Sequence, residues 1–157
     1  MATFNTTNYQ KAFVDRPREK ANKGEVAGRV RMMLGQIVLD GSQAVGDLIK
    51  VGKLPANSRV VMGAIYVNKS LGATGILDLG HAGGEDEEGN AIAADQDAFV
   101  QGADAGGQAA YKQSDSTSEG LKERFGGETT LQAQVTEALD GSVTDGVAVF
   151  QIWYVND

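Results

Sequence analysis

The sequence predicts an all-β chain: a single β-sandwich with an extended N-terminal arm and a long acidic loop insertion. Three observations carry that expectation. Short apolar segments follow one another with period-two alternation or a two-sided apolar pattern, and no helical period separates them. Glycine is abundant at 21 residues and proline scarce at 2, and many of the glycines punctuate the apolar runs where tight turns are needed. No internal repeat and no Pro/Gly/Ser linker divides the 157 residues, which suffice for one domain with a substantial core.

Residues 1–25 read as the arm, and residues 26–157 as the sandwich. The arm is polar, with isolated apolar anchors at Phe4, Tyr9, Phe13 and Val14 and basic residues that include Arg16 and Arg18. It has no strand periodicity, and Pro17 interrupts it. Strands are expected near residues 29–39, 45–51, 59–68, 75–80, 129–138 and 147–155. In the first, Val30, Met32 and Leu34 share one parity and Ile37 and Leu39 the other, so a bulge or bend is expected at Gly35. Asp40-Gly41-Ser42 is a turn signal. In the second strand Val45, Ile49 and Val51 share a face, and Pro55 ends the run because it lacks an N–H.

The segment from Arg59 to Val67 is apolar on both faces, as in a strand covered on two sides. A glycine-flanked turn at Leu71–Gly75 leads to a short strand over Ile76–Leu79, with Asp78 directed away from Leu77 and Leu79. Residues 83–107 are the acidic insertion: seven Asp/Glu, and no Lys or Arg from Ala82 to Tyr111. Within it, residues 95–100 fit one or two helical turns capped by Asp95. Residues 114–127 read as a second surface loop or short helix. In the strand from Thr129, Leu131, Ala133, Val135 and Leu139 face the core, and Gln132, Gln134 and Thr136 face solvent or a partner. The last strand, Val147–Val155, is apolar on both faces, which suits a central strand packed on two sides, or one that is also an intersubunit contact.

Composition removes several classes of function. The net charge is −7, against a general nucleic-acid binder. The charge is uneven: residues 1–32 hold seven Lys/Arg and three Asp/Glu, a net +4, so the rest carries −11. No apolar run approaches the ~20 residues that span a bilayer, so no membrane partner is expected. The N-terminus has no apolar signal-peptide core, and the absence of cysteine fits assembly in a reducing cytoplasm. No cofactor, metal or catalytic site is expected. His81, the one histidine, follows Leu79-Gly80 and reads as a surface or turn residue, and no G-x-S-x-G or P-loop motif occurs. Asp86, Glu88, Asn90 and Asp97 match part of an EF-hand count, but Ala91 stands where that loop needs glycine and Asp97 where it needs glutamate. The acidic segment therefore reads as a solvated insertion.

One resemblance adds to this. The run DLIKVGKLPANSRVVMGAIYVN, followed by LGATGILDLGHA, resembles a pattern in small structural proteins of tailed bacteriophages. There an LPA-x-(S/A)-R-V segment leads into a strand and LGATG-x-L-x-LG closes the hairpin. It covers about a quarter of the chain, and the terminal VAVFQIWYVND agrees with it. The resemblance implies a non-enzymatic virion protein, a head cement or decoration protein of jelly-roll topology. Its expected partners are the major capsid protein and copies of itself as a homotrimer, on the capsid exterior after assembly in the host cytoplasm. Phe4, Tyr9, Phe13, Arg16, Arg18, Trp153 and Tyr154 are then the expected subunit contacts. The alternative is a tail- or fibre-associated sandwich that binds a receptor or carbohydrate, which needs exposed Trp or Tyr beside Asp or Asn in one groove.

Overall fold

A computed structural model describes residues 29–39, 43–68, 75–104, 110–115, 117–139 and 146–156. The strands, in chain order, are β1 (Val30–Leu39), β2 (Leu48–Leu54), β3 (Ser58–Val67), β4 (Ile76–His81), β5 (Gly84–Glu85), β6 (Ala91–Ile92), β7 (Asp95–Asp104), β8 (Ala110–Gln113), β9 (Thr129–Glu137) and β10 (Gly146–Asn156). A 3-10 turn, Glu119–Lys122, lies between β8 and β9.

Eight strands form two antiparallel sheets, ordered β1-β10-β3-β8 and β2-β9-β4-β7. The pairings nest: β1 with β10, β2 with β9, β3 with β8 and β4 with β7. The chain is thus a long two-stranded ribbon wound over itself, closed by β10 against β3 and β9 against β4. That is the jelly roll, two Greek keys packed face to face. The sequence-predicted strands are all present, with β2 displaced three residues toward the C-terminus. The expected arm lies outside the described residues.

The core forms where the sheets' inner rows meet. Phe99, Phe125, Phe150, Ile65, Leu77, Leu79 and Leu131 are fully buried there. Two glycines set how closely the sheets approach. A Cβ at Gly35 would lie 2.7 Å from Val51 Cγ1, and one at Gly63 would lie 2.9 Å from Phe99 Cβ. The expected inward residues of β9 are confirmed, since Leu131, Ala133 and Val135 are fully buried. Gln132 is also buried, but on the outer side, where its Nε2 donates to Gln96 Oε1 at 2.7 Å.

Four expectations need correction. There is no bulge at Gly35, because β1 pairs with β10 in unbroken register from Val30 to Leu39. The parity change arises instead because the outward row of β1 is itself apolar. Residues 95–100 are strand, not helical turns, and Ala98, Phe99, Val100 and Ala103 of β7 are core. Three consecutive buried residues break period-two alternation there, since β7 pairs with β4 through two register shifts. The remainder of the acidic insertion is partly folded as the β5–β6 hairpin, in which the Asp86 carboxylate accepts hydrogen bonds from the N–H groups of Glu88 and Asn90. Finally, residues 114–127 are not wholly surface: Phe125 is fully buried, and its backbone bridges Ser58 of β3.

These positions separate interior from exterior energetically. Phe99→Ala should cost about 3–5 kcal/mol by creating a cavity, whereas Met32→Ser, on the outer face, should shift stability by about 0.5 kcal/mol or less. Urea unfolding of both variants checks the assignment. Equal losses would contradict it.

Candidate functional site

Register assigns the outward rows of the β1-β10-β3-β8 sheet. On β1 they are Val30, Met32, Leu34, Gln36 and Val38, opposite Val155, Trp153, Gln151, Val149 and Val147 of β10. Across β10, Trp153 faces Met62, Gln151 faces Ala64 and Val149 faces Tyr66 of β3. Tyr66 in turn faces Tyr111 of β8. Val30, Met32, Leu34 and Val38 are each more than half exposed, and both tyrosines are exposed. Among the described residues of these rows, Arg59 at one end is the only Lys, Arg, Asp or Glu. The other sheet contrasts with this. Its outward row places Lys50 of β2 beside Gln132, and Asp78 of β4 beside Gln134. This broad, largely apolar face on a strongly acidic chain is the candidate functional surface.

Of the sequence-predicted contact residues, Trp153 lies on this face, half-buried between Met32 and Met62. Tyr154 does not share it: the next residue along the strand turns inward and packs against the core. Phe4, Tyr9, Phe13, Arg16 and Arg18 lie outside the described residues. Val30, Met32, Leu34, Val38, Tyr66 and Tyr111 were not singled out from sequence as contacts. The parity change at Gly35 was the signal for the β1 row, and it reads as an interface once the register is known to be unbroken.

Among the described residues, no group of three His, Cys, Asp or Glu is placed to hold a metal ion. Asp86 is occupied in its own turn, and Asp115 accepts from both the N–H and hydroxyl of Thr117. Hydrogen bonding with Asp95, together with burial and the Asp95 charge, raises the pKa of Asp97.

His81 is the other chemically distinctive residue, and it is fully buried at the end of β4, not at the surface. Its ring packs edge-on to Phe125, with centroids 5.0 Å apart, and tilted against Phe99 at 5.8 Å. The Gly83 N–H donates to Nδ1 at 3.1 Å, so Nδ1 carries no proton. Nε2 lies 2.8 Å from Glu123 Oε2, within ion-pair range but out of line for a good hydrogen bond. The imidazole is thus enclosed by Phe99 and Phe125, with Nδ1 engaged by the Gly83 N–H and Nε2 beside the Glu123 carboxylate. Burial lowers the His81 pKa from its usual value, with Glu123 opposing, and burial likewise raises that of Glu123, with His81 opposing.

The sign of the pH effect follows from the histidine. Its folded pKa lies below its unfolded one, so the unfolded chain binds more protons. The stability contributed by neutral His81 is full above about pH 6.5 and is lost as pH falls toward the folded pKa. The raised Glu123 pKa acts in the opposite sense, so the test is a difference: between about pH 7 and pH 5, urea unfolding of the wild type should lose more stability, or gain less, than that of His81→Gln. An unchanged slope in the variant would contradict this.

No protein-family model matches the chain, and no curated protein does. Solved structures match. A chain of "Capsid of Ralstonia phage GP4" is similar at 19% identity with a TM-score of 0.63, over 85% of this chain and 88% of that one. A chain of "Cyanophage Pam1 capsid asymmetric unit" is similar at 18% identity and a TM-score of 0.62, over 100% of both. A chain of "Acidic stable capsid structure of Helicobacter pylori bacteriophage KHP30" is similar at 14% identity and 0.51, over 81% and 93%. At these identities the likeness is one of fold.

Proposed function

We propose that this chain is a non-enzymatic structural protein of a tailed-phage virion, a head cement or decoration protein. It binds the outside of the shell of major capsid protein, stabilises it, and assembles there with copies of itself. The observation that carries this reading is the uncharged apolar outer face of the β1-β10-β3-β8 sheet. Such a face is costly to leave in water and suited to permanent burial. The likeness in fold to chains of three phage capsid structures, over most or all of the chain, supports a place in a shell. Among the described residues of this face no Asp stands beside Tyr66 and Tyr111, and the Oδ1 of Asn68 is already taken by the Val147 N–H, which favours protein over carbohydrate as its partner.

The N-terminal residues supply a second attachment. Residues 1–25 lie on a neighbouring capsid or cement subunit, with Phe4, Tyr9 and Phe13 in pockets and Arg16 and Arg18 on acidic surface. Twenty-five extended residues reach at most ~80 Å. Ordering them costs on the order of 1–2 kcal/mol per residue, so apolar burial at roughly 25 cal/mol per Å² must offset much of that cost. Added salt weakens the basic contacts and spares the aromatic ones.

Deleting residues 2–22 tests the proposal, because β1 begins only at Val30. The truncated protein should fold, with an unchanged β-type circular dichroism spectrum, and bind particles that lack this protein more weakly than full-length protein does. Equal binding would remove the arm's role. Failure of the full-length protein to bind such particles would remove the cement reading itself.

A further inference from the structure

We infer that the outer face of the β1-β10-β3-β8 sheet is covered by a second copy of this chain. This rests on the homo-oligomer in the proposed function and names the surface that builds it. The argument begins with charge. Beyond residue 32 the chain carries a net −11, so most contacts between two copies bring carboxylates toward carboxylates. The cost is avoided when one of the two surfaces has none. The β5–β6 hairpin is acidic, with Glu85, Asp86, Glu87 and Glu88 together. The outward rows of the β2-β9-β4-β7 sheet include Lys50 and Asp78. The rows around Met32, Trp153 and Met62 contain no carboxylate, and the lone cation, Arg59, at their end faces an acidic copy favourably.

Area and shape point the same way. The large exposed side chains of this face, Val30, Met32, Leu34 and Val38 with Tyr66 and Tyr111, present on the order of 600 Å². A standard specific interface takes about 800 Å² from each partner, and the partly exposed Trp153, Val147 and Val149 extend the patch toward that value. β1 is also the edge strand of its sheet, so its exposed apolar row lies at the sheet's margin.

Sedimentation velocity of the full chain tests this, comparing wild type with the double variant Met32→Glu/Leu34→Glu. Both positions are exposed, so the fold should survive, as circular dichroism would record. The wild type should sediment as an oligomer at micromolar concentration, and the variant at the monomer mass of 16.5 kDa. If that variant misfolds, Val38→Lys/Tyr111→Glu probes the same face from its other parts and should give the same loss of mass. A wild type that stays monomeric to about 100 μM overturns the inference, as does a folded variant that keeps the wild-type mass. Particle binding separates the two readings. A variant of wild-type mass that no longer binds particles assigns the face to the shell and overturns a second copy as its occupant. A monomeric variant beside a wild type that never binds particles upholds the self-contact and removes the cement function.

Discussion

The double hydrogen bonding of β10, to β1 on one side and β3 on the other, is the constraint on which the rest of the structure depends. Its register decides which residues of three strands enter the core. One row, Gly35–Phe150–Ile65, points inward, and the neighbouring row, Met32–Trp153–Met62, points out. A slip of one residue would exchange the rows. The interior prevents that slip. Gly35 lies where a side chain would collide with Val51, and Gly63 where one would press on Phe99, so the observed register puts glycine at two close approaches of the sheets. Apolar composition alone would tolerate either row inside; the glycines and Phe150 select between them.

From that selection comes the outer face. A strand buried on one side normally alternates apolar with polar residues. β10 and β1 do not, and their surplus apolar row is what remains after the core is filled. The inward row would pack as well if the outward row were polar, so the fold does not require Met32, Leu34 or Trp153 where they stand. Their exposure is therefore not a requirement of the core, and the carboxylates of the described surface lie away from them.

Much of the sandwich is legible in the sequence because β3, β9 and β10 carry uninterrupted patterns, with Pro55 and glycine-rich turns between them. What escapes notice escapes for local reasons. β7 buries Ala98, Phe99 and Val100 in succession through a register shift, inside a segment whose carboxylates suggest a solvated loop. β8 is a four-residue edge strand, too short to show a period. His81 sits in a turn-like Leu-Gly-His-Ala context, yet Phe99 and Phe125 enclose it from elements distant in the chain. Of the candidate site, the two-sided character of β10 is readable, whereas Trp153, in an apolar strand where burial is the expectation, is half-buried on the outer face. The inward direction of Tyr154 and the outer row of β1 become readable only when the pairing is known.

The most direct measurement of whether the apolar outer face is an interface is a cryo-EM reconstruction of particles carrying this protein, at a resolution that places β1 and β10. The expected result is protein density packed over Met32, Leu34 and Trp153, with the Gln132–Gln134 side of the other sheet more open to solvent. A reconstruction in which the β1-β10-β3-β8 face is turned to solvent and uncovered contradicts it.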